Sequence, residues 1–239
     1  ILLHIVIFGG NIMTKNNVVI NLINRIKLPD YTKSEELINS ISHGIAFVFS
    51  MLGVIPMILK AKDFGSLSLI SSVIFGIAMV LLYLVSAIYH YPYLNNLSLK
   101  KIFRVIDHCN VFLLVLGTIM PVALLGIAGR YGVIFFSIIF IITLIGIFFL
   151  CINIDKFQFV EVLCHLVNGW SILIFLKLLI LNIGYYGVVF IILGGIMYSI
   201  GSILYFLGSK RKYFHSIFHF FCILGTLFHY IAIYFYLLV

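Results

Sequence analysis

Seven runs of apolar residues, each about twenty long, divide this chain: 37–59, 68–90, 105–128, 131–152, 160–182, 187–208 and 214–238. Each is long enough to carry an α-helix across the roughly 30 Å hydrocarbon core of a bilayer. Short polar breaks separate them. Lys60 to Ser66 holds two Lys, one Asp and a Gly, and Tyr91 to Arg104 holds Pro92, two Asn, two Lys and an Arg. Gly129-Arg130 marks a tight turn, Asn153 to Gln158 carries Asp155 and Lys156, Asn182 to Gly187 is rich in Gly and Tyr, and 209–212 reads SKRK. A transmembrane β-barrel would alternate apolar and polar residues instead of running apolar for twenty. The pattern predicts an all-α polytopic membrane protein: a seven-transmembrane-helix bundle over 37–239, preceded by a cytoplasmic N-terminal segment, 1–36.

Composition narrows the class. The 239 residues are 64% hydrophobic and 9% charged, against about 45–50% and 25% in a soluble domain. That excludes a soluble enzyme, a secreted disulfide scaffold and a disordered chain. The net charge of +8 points to topology signals and anionic lipid, and away from nucleic acid. Loops alternate sides. One side collects Arg25, Lys27, Lys33, Lys100, Lys101, Arg104, Lys156, Lys210, Arg211 and Lys212, ten basic residues, and the other Lys60, Lys62 and Arg130, three. The ten-residue side is the cytoplasmic one, which puts the N-terminus inside and the C-terminus outside. The expected location is a membrane that the chain crosses several times.

The chain opens on Ile1, and Ile1–Phe8 is too short to span and lacks a basic lead. Met13 begins an amphipathic lead-in, so residues 1–12 are read as lying before the native start, and His4 is assigned no role. Cys109, Cys151, Cys164 and Cys222 form no CxxC pair and are read as buried thiols that behave as small hydrophobes.

Ionisable residues inside spans are expensive and are functional candidates by default. His90 ends the second span, Asp107 and His108 begin the third, and His215 and His219 begin the seventh. By the alternation of loops all five lie at the cytoplasmic end. His215 and His219 are i and i+4 on one helical face, a spacing that places two nitrogens on one zinc. Ser86 and His90 have the same spacing. Three histidines on one metal leave a fourth position for water whose pKa falls to about 7. Asp107 can accept a hydrogen bond from that water and act as base, with Ser86 orienting it. The alternative is a set of packed, hydrogen-bonded histidines, and spacing alone does not choose between them. Glu36, Asn39 and His43 share a face of the first span and read as a structural polar motif. Glu161 and His165, i and i+4 in span five, read as an interface contact. His229 shares the face of His215 but lies about 21 Å along the helix, too far for the same metal.

The motifs EELINSISHG at 35–44, SAIYHYP at 86–92, RVIDH at 104–108 with GTIMP at 117–121, and HSIFH at 215–219 occur in that order. Over residues 35–239 the chain resembles the haemolysin III family, the bacterial branch of the progestin and adipoQ receptor superfamily. The resemblance implies seven transmembrane helices, a cytoplasmic N-terminus and a zinc ion (Zn2+) near the cytoplasmic face. It implies His90, His215 and His219 as zinc ligands, Asp107 as the acid that reaches zinc through water, and Ser86 beside it. Glu36, Asn39 and His43 match a first-span motif that is not a ligand set, and His108 stands where members carry Tyr or His. For function it implies a zinc-dependent hydrolase of lipid amides, ceramidase-like, with membrane lipids as partners. The alternatives are a membrane-homeostasis or receptor-like protein with structural zinc, and a cytolysin acting by haemolysis or pore formation.

Overall fold

The computed structural model describes residue 21, residues 23–208 and residues 211–239. The expectation about a start at Met13, and Lys210 of the basic loop, lie outside the described residues. Every element among the described residues is helical.

Helix α1 (Lys33–Ala61) starts at a capping box. Glu35 N–H donates to Thr32 Oγ1 at 3.3 Å, and Glu35 Oε2 accepts from the Thr32 amide at 2.9 Å. It closes in a tight turn whose Gly65 sits at φ 89, and α2 (Ser66–Tyr89) follows. Pro92 stops α2 shortly after, because a proline disfavours helical geometry in the residue before it. Helix α3 (Leu97–Pro121) is capped by Asn96, which accepts from Leu99 N–H at 3.0 Å, and runs into a wider turn over Val122–Ile127. Helix α4 (Gly129–Ile152) follows a reversal at Ala128 and Gly129, both at φ 57. Helix α5 (Ile154–Trp170) is capped by Asn153 and leads through Ser171–Phe175 into α6 (Leu176–Gly208). The chain ends in α7 (Phe214–Ala232) with a final wide turn, Ile233–Leu237.

Ile154–Gly208 is 55 residues of near-continuous helix, far more than the roughly 20 that one crossing needs. Gly184, at φ 73 and ψ 170, breaks it. The halves run back along one another: Trp170 Nε1 donates to Ser199 Oγ at 3.0 Å, and Gln158 Nε2 to Tyr205 OH. Among the described residues six helical stretches are thus long and apolar enough to cross a membrane, and the reversal at Gly184 makes them seven crossings.

The outer faces are apolar, with Phe49, Leu52, Phe159 and Leu181 well exposed, as lipid-facing positions should be. Inside, α6 packs against α7 along glycines seven residues apart: Gly187 meets Tyr236, Gly194 meets His229, Gly201 meets Phe218 and Gly208 meets His215. Small residues at helical repeats let membrane helices approach closely. Midway down the bundle, Thr226 Oγ1 accepts from Tyr83 OH and pairs with Tyr198 OH, both at 2.7 Å, which joins α2, α6 and α7.

Candidate metal centre

The end of α2 and the start of α7 meet at one end of the bundle. His90 follows the last residue of α2, its N–H still bonded to Ser86 O at 3.0 Å. His215 and His219 occupy the first turns of α7 and share a face. All three are buried, and one nitrogen from each lies within 4.8 Å of the others. His215 Nε2 is 3.4 Å from His90 Nε2 and 3.1 Å from His219 Nε2. A tetrahedral zinc with Zn–N of about 2.0–2.1 Å sets its nitrogens roughly 3.3–3.4 Å apart, so these separations fit such an ion.

The surroundings fix that aim. Glu36 Oε2 is 2.8 Å from His90 Nδ1, and Glu36 Oε1 is 2.6 Å from Lys100 Nζ. The carboxylate therefore accepts the Nδ1 proton and turns the Nε2 lone pair of His90 to the centre, the usual way a carboxylate orients a metal-binding histidine. The neighbouring Glu35 accepts from the Tyr213 amide at 2.7 Å, pinning the start of α7 to the start of α1. His43 is not among the converging residues. Its ring stacks on His219 with centroids 3.8 Å apart and meets Tyr83 edge-on. Asn39 lies 3.4 Å from His90 Nδ1 and is fully buried. The first-span motif thus supports the triad from behind.

Ser86 on α2 and Asp107 on α3 stand at the same end of the bundle. Both line a cavity of about 150 Å³ together with His215 and His219. From Asp107 the cavity follows α3 down to Val122, about 22 Å at 1.5 Å per residue. Its deep walls are apolar, formed by residues such as Val115, Ile172, Leu173 and Ile191. His229 lines this deep part, with Nε2 donating to Ile191 O at 3.1 Å.

Three features of this end were not visible in the sequence. Tyr31, just before α1, stacks on His215 at 4.8 Å and 25°, and burial raises its phenol above the ordinary value, so it is a neutral cover over the triad. The segment that carries it is tied down: Arg104 donates to Lys27 O and, at 2.7 Å, to Asp155, which accepts from the Lys27 amide at 3.0 Å. Glu161, paired by spacing with His165, is bonded mainly to His108, whose Nδ1 lies 2.8 and 3.0 Å from its two oxygens. Cys109 and Cys151 approach to 4.0 Å between sulfurs, and Cys151 is exposed where a buried thiol was expected. Each pairing joins residues far apart in the sequence, and no local pattern marks any of them.

A family model described as Haemolysin-III related matches residues 31–230. The chain is 32% identical over 205 residues to Hemolysin-3 of Bacillus cereus, covering 85% of this chain and 92% of that protein. It is 32% identical over 197 residues to the Hemolysin-3 homolog of Bacillus subtilis (strain 168), covering 82% and 91%. With its apolar helices, this makes it a multi-pass integral protein of a bacterial membrane. A match across most of the chain, containing all three converging histidines, places the protein in the haemolysin III-related family.

Proposed function

We propose that this protein is a zinc-dependent hydrolase of lipid amides, working at the polar end of the cavity. One observation carries this reading: a single cavity joins two of the converging histidines, Ser86 and Asp107 to a long apolar wall. Zinc held by three imidazoles supplies a Lewis acid and lowers the pKa of a water to about 7. Three protein ligands, rather than four, are the pattern of catalytic sites. The residues of the chain do the rest. Asp107 takes the proton of the attacking water. The wall from Val115 to Val122 holds the acyl chain and keeps bulk water out. The excess of basic residues assigns this end of the bundle to the cytoplasm, so the polar end of the lipid lies at that membrane face.

A second reading is a structural zinc. Tyr31 over His215 and Glu36 behind His90 favour it, since they close the triad and join α1, α2 and α7. The name of the relatives suggests a third, lysis of cells. Asp107→Asn separates the readings in zinc-loaded protein, with a long-chain N-acyl amide of the ceramide class as substrate. Hydrolysis predicts turnover by wild type and a fall of about 10²-fold or more in the variant, with zinc retained. No wild-type turnover, with only stability altered, supports structural zinc; lysis of erythrocytes without amide turnover supports the cytolysin.

A further inference from the structure

The proposed hydrolysis leaves one proton unassigned. Asp107 can take a proton from water, but an amine leaves an amide poorly unless its nitrogen is protonated as the bond breaks. A second polar cluster lines the same cavity: His108 on α3, with Glu161 and His165 on α5. Glu161 is 5% exposed, and a carboxylate so far inside a bundle is costly unless paired. Both its oxygens face His108 Nδ1, at 2.8 and 3.0 Å, and His165 Nε2 stands 3.7 Å from Oε1.

This is the geometry of an imidazole held by a carboxylate. The contact fixes the Nδ1 proton toward Glu161, leaves Nε2 as the working nitrogen, and sets a negative charge beside the ring. The Tyr205 ring lies 6.0 Å from His108 and 5.7 Å from His215, so the cluster and the triad flank one side chain. Gln158 bonds the Tyr205 hydroxyl and holds it in place.

We infer that His108, oriented by Glu161, is the general acid that protonates the departing amine. This rests on the hydrolase reading above. In the step, the water oxygen bonds the carbonyl carbon and its proton goes to Asp107. The C–N bond then breaks, and its electron pair on nitrogen takes the proton from His108 Nε2. The products are a fatty acid and a free long-chain amine. The proton on Asp107 returns to His108 through solvent, so both groups end as they began. If the cluster were only a lock between α3 and α5, its loss would slow every substrate alike.

The test compares two substrates with the same acyl chain: the N-acyl amide, and a 4-nitrophenyl ester whose phenolate leaves without a proton. Glu161→Gln keeps an oxygen acceptor for the Nδ1 proton, and His108→Gln removes the acid. Both are assayed with zinc content and melting temperature measured on the same samples. The inference predicts a loss of about 10²-fold or more on the amide and under about tenfold on the ester, with zinc content unchanged. His108→Ala should regain amide turnover when imidazole is added. Equal losses on both substrates, or no loss on the amide, overturn the acid role while leaving the hydrolase reading standing. Wild-type protein that turns over neither substrate overturns both.

Discussion

Glu36→Gln isolates how the protein, rather than the ion, sets the geometry of the triad. Glu36 is no ligand, yet it touches His90 Nδ1 at 2.8 Å and Lys100 Nζ at 2.6 Å with its side chain 9% exposed. Glutamine has nearly the same shape. Its carbonyl oxygen can still accept from His90, but its NH₂ group must then face the Lys100 ammonium, donor against donor. Turning the amide to satisfy Lys100 presents NH₂ to the Nδ1 proton instead. Either way one contact is lost and the imidazole loses the negative charge that makes it a better ligand. Loss of such a supporting carboxylate weakens metal affinity by about 10–100-fold, equivalent to about 1.4–2.8 kcal/mol. The assay is competition between detergent-solubilised zinc-loaded protein and chelators of graded affinity. A dissociation constant within twofold of wild type, while His219→Ala loses zinc, would refute the orienting role.

Two further outcomes are expected. Tyr31→Ala, which removes the ring stacked on His215, should speed zinc loss to a chelator about tenfold, the upper end of what one aromatic contact contributes; unchanged release kinetics would mean that the segment does not cover the metal. In intact cells, an impermeant thiol reagent should label a cysteine at position 130 and miss one at position 100, in a variant stripped of native cysteines; labelling of position 100 would reverse the assigned orientation.

The spans were legible because burial in lipid leaves a blunt signal: twenty apolar residues bounded by Lys, Asn, Gly and Pro. Even the break between spans five and six was marked, since Gly184 adopts a left-handed conformation that side chains resist. The triad was legible in part. The i, i+4 pair of α7 is a local pattern, while His90 joined it only through the depth argument and the family resemblance. What stayed hidden has one cause. The pairs Glu36–Lys100, His108–Glu161 and Tyr31–His215 join residues 53 to 184 positions apart, and helical periodicity shows which residues share a face without showing which face it meets. Glu36 and Glu161 were therefore read as structural or interface groups, without the histidines that each contacts, His90 and His108.

Everything proposed for this end of the bundle depends on whether His90, His215 and His219 together hold a metal. That is tested most directly by elemental analysis of protein purified without chelator, wild type beside His90→Ala. The expected result is one zinc per wild-type chain and a large loss in the variant. Wild-type protein free of zinc, or a His90→Ala variant with full occupancy, would contradict it.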